Sequence, residues 1–348
     1  MRRAYHALVP IVAVALGMTR ASDVAAAPTI VPTIIAELPH DPRAFTQGLV
    51  LNAGVLFEST GLNGQSSLRR VDRASGQVTE SVSLPTDEFG EGLALVGERL
   101  VQLTWMNGLA HVYDANGFQP LADFEYTGEG WGLCFDGARL VMSDGSDQLL
   151  FRDPATFELL GRVSVRDEGA PVARLNELEC VAGEVFANVW MTDDIVRVDT
   201  ATGNVITRID ARSLHARETA PGADVLNGIA HDPLTGHFLL TGKLWSTLFE
   251  VELALEPAAE PMAVAPPDPD PVAAPAPADI APPAPAPEPT AVVAPAASDP
   301  GQRPPAPAAR SQASGGCTLG SGLAPSSGSV LALVALIGVW RRARRASS

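Results

Sequence analysis

Positive charge is scarce in this sequence: 24 Lys and Arg stand against 40 Asp and Glu in 348 residues, a formal net charge of −16. Within residues 28–253 the balance is 15 against 32, a formal charge of −17. A nucleic-acid binder needs clustered cations to displace phosphate counterions, so that role is excluded. Long apolar runs are missing as well. The runs from Ala7 to Met18 and from Val330 to Trp340 fall short of the about 20 residues a spanning helix needs. The 6 His residues are scattered, with no His-Glu-x-x-His pattern and no Cys/His cluster, which argues against a catalytic zinc. No Gly-x-Ser-x-Gly elbow is present, against a serine hydrolase, and no phosphate-cradling glycine loop. Of 3 Cys, only Cys134 and Cys180 lie within 28–253. Two buried thiols are the expected state, with a disulfide as the alternative that export permits.

The two ends read as addresses. Arg2 and Arg3, the apolar run and small residues up to Ala27 have the order of a secretory signal peptide over 1–27. Residues 254–314 form a Pro- and Ala-rich linker that cannot bury enough apolar surface to offset its ordering entropy. It is expected to be disordered and locally polyproline II-like. Residues 315–348 hold Gly316-Cys317, the short apolar segment and an Arg cluster from Arg341 to Arg345. This ending resembles the C-terminal sorting tags of myxobacterial secreted proteins, with an ordinary tail anchor as the alternative. The resemblance implies that Cys317 is the processing or anchoring residue, that sorting machinery acts on it, and that the protein reaches the cell envelope or surface.

Between the ends, one pattern occurs five times: a polar or aromatic residue, usually Gly, then an aliphatic residue opening a strand. It reads Gln47-Gly48-Leu49, Glu91-Gly92-Leu93, Trp131-Gly132-Leu133, Asn176-Glu177-Leu178 and Asn227-Gly228-Ile229, at steps of 44, 40, 45 and 51 residues. That period fits a four-stranded propeller blade. Further alternating strands and turn pairs such as Ser75-Gly76 complete each unit. The fifth unit lacks an outer strand, and Thr33 to Leu38 is a strand without a blade. The prediction is therefore an all-β, five-bladed propeller over 28–253, closed by its N-terminal strand and expected to be a monomer. A β-sandwich, the competing fold, would not repeat one motif at this spacing.

Equivalent positions on five inner strands converge on the propeller axis. Here they hold Gln47, Glu91, Trp131, Asn176 and Asn227, and the ends of the second strands add Trp105, Trp190 and Lys243. Taken singly, a Trp is usually core, and Asn227 before Gly reads equally well as turn chemistry. Together they place three of the chain's 5 Trp, two side-chain amides, one acid and one Lys at repeat-equivalent places. An apolar-walled pocket with a few convergent polar groups is the expected result. One carboxylate, one ammonium and neutral hydrogen-bonding groups suit acyl transfer to a nucleophile that the substrate itself carries.

The stretches Leu38-Pro39-His40-Asp41, Ala44-Phe45-Thr46-Gln47-Gly48-Leu49, Phe89-Gly90-Glu91-Gly92-Leu93 and Gly130-Trp131-Gly132-Leu133 carry a family resemblance. So do Leu175-Asn176-Glu177-Leu178-Glu179, Ala187-Asn188-Val189-Trp190, Leu226-Asn227-Gly228-Ile229 and Thr241-Gly242-Lys243-Leu244-Trp245. In this order they resemble the plant- and bacterial-type glutaminyl-peptide cyclotransferases. The resemblance implies zinc-independent conversion of N-terminal glutamine, on peptides or proteins, to pyroglutamate with release of ammonia. It implies a pocket of Phe45, Gln47, Phe89, Glu91, Trp105, Trp131, Asn176, Trp190 and Lys243. No cofactor is required, although the family admits a calcium ion in the central channel whose ligands this sequence does not reveal.

On that reading Glu91 is the general acid/base, with a proton affinity raised by nearby Trp faces. Lys243 stabilises the tetrahedral oxyanion, or else forms an ion pair that lowers the pKa of Glu91. Gln47 and Asn176 orient the substrate. The rivals are a non-catalytic propeller binding peptides or glycans, and a metal-dependent lactonase-like hydrolase, for which only Glu91, Gln47 and Asn176 could serve as ligands.

Overall fold

The computed structural model describes residues 26–255. The expected signal peptide, linker and C-terminal segment, Cys317 included, lie outside these residues except for 26–27 and 254–255. Five four-stranded antiparallel blades form the body of the structure, with a two-stranded ribbon of Arg166–Asp167 and Ala170–Pro171 and a short helix Arg212–His215 between them. Blade one consists of Thr46–Asn52, Val55–Thr60, Ser67–Val71 and Val78–Ser83, and blade two of Gly90–Val96, Arg99–Thr104, Leu109–Asp114 and Pro120–Glu125. Blade three is Leu133–Phe135, Leu140–Met142, Gln148–Arg152 and Leu159–Ser164, and blade four Leu175–Val181, Glu184–Val189, Asp194–Asp199 and Val205–Asp210. Blade five has three strands of its own, Leu226–His231, Phe238–Gly242 and Thr247–Glu252.

The N-terminal strand, Thr33–Pro39, completes blade five, running antiparallel from Thr33 opposite Glu252 to Pro39 opposite Thr247. It covers a sheet edge that would otherwise offer unpaired backbone groups. A second, two-residue strand that the sequence did not signal, Thr29–Ile30, lies parallel to Val205–Asp210 on blade four. Two residues are too few to show any alternation.

Burial falls from the axis outward. The inner strand Gly90–Val96 is almost wholly buried, whereas the outer strand Pro120–Glu125 is almost wholly exposed. Tight turns hold the first two strands of a blade together. Ala53-Gly54 and Ala182-Gly183 both place two successive residues at positive φ, the turn that matches the twist of a hairpin. Apolar residues gather in five clusters, one at each blade–blade contact. Leu68 meets Leu93 and Leu100 between blades one and two, and Val141 meets Val185 between blades three and four.

The expectation of two free thiols is corrected: Cys134 and Cys180 form a disulfide. They sit on the inner strands of blades three and four, which the ring makes neighbours, with Cα atoms 5.5 Å apart. A 46-residue separation in sequence hid that adjacency.

A buried polar network lies at the seam where the ring closes. Glu58 is fully buried and accepts hydrogen bonds from Thr46 Oγ1 (2.7 Å) and Arg69 Nη2 (2.5 Å), with the His40 ring 3.1 Å away. The other His40 nitrogen lies 2.8 Å from the carbonyl oxygen of Trp245 in blade five. Burial pushes the Glu58 pKa up, but the charges of Arg69 and His40 prevail and bring it from 4.5 down to about 2. Burial alone would lower the His40 pKa, and Glu58 raises it on balance.

Two outcomes follow for stability. Replacing both Cys134 and Cys180 by Ser should cost about 2–4 kcal/mol, read as a lower urea midpoint that reductant reproduces in the parent protein. The Glu58 contribution is complete above its ordinary pKa and is lost as pH falls from 4.5 toward about 2. Glu58→Gln should therefore lose about 3–5 kcal/mol at neutral pH and flatten the acid slope of the urea midpoint.

Candidate active site

The inner strands meet each other edge to edge around the axis, the fifth returning to the first. At Gly92 and Gly132 such closeness leaves no room for a side chain. A Cβ on Gly92 would lie 2.5 Å from the Leu133 nitrogen, and one on Gly132 would lie 1.9 Å from the Asn176 oxygen. The first motif position is thereby pinned at the end of the channel. Gln47, Glu91, Asn176 and Asn227 are all buried there, and Lys243 is 5% exposed.

Glu91 is buried at the centre of a polar network. Its Oε1 accepts a hydrogen bond from Gln47 Nε2 at 2.9 Å, and Gln47 Oε1 accepts one from Asn227 Nδ2 at 3.1 Å. Asn227 also donates to the Thr46 carbonyl at 2.9 Å, so it belongs to this network within a strand and not to a turn. The Asn176 backbone oxygen accepts from Ser143 Oγ at 2.6 Å, while its side-chain Oδ1 is buried without a partner.

The walls are aromatic. Phe45 and Phe89 meet edge to face at 5.9 Å, Phe89 and Trp105 at 5.7 Å, and Trp131 and Trp190 at 5.4 Å. Lys243 Nζ lies 4.9 Å from the centroid of the Phe45 ring, a cation–π contact. Its backbone is anchored on both sides of the side chain's exit, to Val225 and Asp224 at 2.9 Å each. The structure thus brings Phe45, Gln47, Phe89, Glu91, Trp105, Trp131, Asn176, Trp190 and Lys243 to one end of the ring.

Electrostatics give the pocket its chemistry. Burial raises the pKa of Glu91 well above the usual carboxylate range; Lys243 opposes the shift and Glu129 adds to it. Burial lowers the pKa of Lys243, with Glu91 and Asp224 opposing. No ion pair joins Glu91 to Lys243 among the described residues, and the Lys243 charge does not outweigh burial at Glu91. The expected rise in Glu91 proton affinity is what the geometry produces.

Two acids escaped the sequence reading. Glu129 accepts hydrogen bonds from Trp105 Nε1 at 2.7 Å and Trp131 Nε1 at 2.9 Å, on the same oxygen, Oε2. It lies in the crossover between blades two and three, where no strand pattern marks it. Glu177 replaces the usual motif glycine and reaches across the channel, accepting from Leu49 N at 3.2 Å and Ile229 N at 2.8 Å. Its departure from the repeat was the available signal. A further signal went unused: Lys243 is the chain's single lysine.

No three His, Cys, Asp or Glu side chains gather as metal ligands among the described residues. Both Glu177 oxygens are already engaged by backbone N–H groups. The described carboxylates do not by themselves assemble a calcium site, and no step below runs through one.

The sequence profile of the glutamine cyclotransferases matches residues 7–253. The chain belongs to the glutamine cyclotransferase family. It is 42% identical over 226 residues to the glutaminyl-peptide cyclotransferase of Arabidopsis thaliana, spanning 63% of this chain and 70% of that one. Its fold matches the crystal structure of Myxococcus xanthus glutaminyl cyclase with a TM-score of 0.61 and 45% identity, over 65% of this chain and 97% of that one.

A single lysine makes its titration directly readable. With 15N-labelled lysine, the lone Nζ signal should titrate below 10.5. Glu91→Gln should lower it further by removing a stabilising carboxylate; a Nζ pKa above 10.5 in either protein would contradict this account of burial.

Proposed function

We infer that the pocket binds peptides or proteins beginning with glutamine and converts that residue to pyroglutamate, releasing ammonia. The observation that carries the mechanism is the buried Glu91, held by Gln47 and influenced by the charge of the buried Lys243 amine, in a chain of the cyclotransferase family. The substrate's own α-amine attacks the carbon of its side-chain amide. A new C–N bond closes the five-membered ring, the amide C–N bond breaks, and ammonia leaves. One proton must travel from the attacking nitrogen to the departing one.

Glu91 is the group suited to carry that proton. An α-amine has a pKa near 8, and an acid raised toward that value can both accept and return a proton at neutral pH. Gln47 Nε2 holds one carboxyl oxygen, fixing the direction of exchange. Lys243 supplies positive charge for the tetrahedral oxygen, at low dielectric where such stabilisation is largest. Asn176 Oδ1, an acceptor without a protein partner, suits an N–H of the substrate amide. Ring closure is intramolecular, so holding the glutamine folded against the Trp faces lowers the barrier by itself.

We also propose that the protein works outside the cytoplasm, after export on the N-terminal segment. The Cys134–Cys180 bond supports an oxidising compartment.

Purified protein given a peptide with N-terminal Gln should release ammonia and leave a blocked N-terminus. Glu91→Gln should cut kcat by about 10²–10⁴-fold with the fold intact. Lys243→Gln should lower kcat and move the acid limb of kcat/KM to higher pH, because the lost cation had favoured ionised Glu91. Folded protein with no turnover would recast the pocket as a recognition site.

A further inference from the structure

The mechanism leaves one acid unexplained. Glu129 touches no Lys, Arg or His within ion-pair distance among the described residues. It is half-buried, whereas Glu91 is buried. Both indole N–H groups converge on Oε2, and Oε1 has no hydrogen-bond or ion-pair partner among the described residues.

The backbone holds this arrangement firmly. Gly130 N donates to the Trp105 carbonyl at 2.9 Å, and Trp131 N donates to the Ser143 carbonyl at 3.0 Å. The Tyr126 hydroxyl bonds to the Thr104 carbonyl beneath the loop, and a Cβ on Gly130 would lie 2.2 Å from that hydroxyl. The Glu129 carboxyl is thus aimed by two tryptophans and by the loop that carries it.

A peptide that begins with glutamine arrives mostly as an α-ammonium below about pH 8. The pocket already contains the Lys243 amine, which opposes a second cation, and burial favours the neutral form of Glu91. Neither group draws an ammonium in. Glu129 can, since its outer oxygen is unshared among the described residues.

Resting on the cyclotransferase reading above, we propose that Glu129 is the substrate-binding residue for the α-ammonium. Its Oε1 takes the charged N-terminus while Oε2 keeps Trp105 and Trp131 in place. The substrate is thereby oriented with its amino group on the Glu129 side of Glu91 and its carboxamide toward Lys243 and Asn176. A chain lacking a free N-terminal amine loses this contact, which makes Glu129 a selector for unblocked N-termini as well as an anchor.

The test compares two ligands on intact protein. One is a short Gln-peptide, bound to a Glu91→Gln background so that it is not consumed; the other is the same peptide with hydrogen in place of the α-amino group. Glu129→Gln preserves an oxygen for both indole N–H groups and removes only the charge. Adding it should weaken the amino peptide roughly 10- to 100-fold, the range for a hydrogen bond to a charged group, and leave the desamino peptide unchanged. In the otherwise native enzyme it should raise KM far more than it lowers kcat. Glu129→Ala should in addition shift tryptophan fluorescence, which Glu129→Gln should not.

Equal loss for both ligands would overturn the proposal in favour of a merely structural acid, and so would no loss for either. Should the native enzyme fail to turn over the Gln-peptide, the cyclotransferase reading falls, while the two-ligand comparison still decides whether Glu129 selects an amine.

Discussion

Everything in this protein depends on how closely five inner strands can approach one axis. Their edges touch, and the contact is possible because Gly92 and Gly132 present no side chain where the next strand's backbone passes. Where the second motif residue is glycine, the side chain of the first is the one directed toward the end of the channel. Five strands drawn from nearly the whole domain therefore deliver Gln47, Glu91, Trp131, Asn176 and Asn227 to one place. The clusters between blades add the apolar burial that keeps the ring closed, but the axis sets the positions.

The same crowding creates the electrostatics. Glu91 and Lys243 are both removed from water, and burial outweighs their mutual attraction at each. The acid thus has a raised proton affinity and the amine a lowered one. The contrast with Glu58 is instructive. Glu58 is equally buried, yet Arg69 and His40 lie directly against it and hold its pKa at about 2. One buried acid is locked as a charge and closes the ring; the other has no ion-pair partner and keeps an exchangeable proton. Contact with a cation, and not depth, separates structure from chemistry here.

The departures from the repeat carry information of their own. Where blade four has Glu177 in place of glycine, the carboxyl spans the channel to Leu49 and Ile229, binding three blades together. Beside it on the same strand, Cys180 is bonded to Cys134 of blade three. Blade four is thus tied to both of its neighbours and, through Glu177, across the axis to blade one. It also carries the extra strand Thr29–Ile30 on its outer edge.

The sequence by itself determined the architecture and most of the pocket. A motif repeated at blade-length steps can close only as a ring, and an unpartnered strand at Thr33 has only the incomplete fifth blade to join. Repeat-equivalent positions then named Gln47, Glu91, Trp131 and Asn176 without coordinates, while Phe45 and Phe89 were legible through family motifs alone. Tertiary structure decided what periodicity does not encode. Cys134 and Cys180 became a disulfide because neighbouring inner strands bring together residues of different blades. Asn227 joined the polar network because its strand runs beside Thr46 and Gln47. Glu129 entered the site from a crossover loop, where no alternation marks a residue, and only the position of two indole N–H groups revealed it. Repetition along the chain fixes which residues face the axis; which of them touch depends on distances across it.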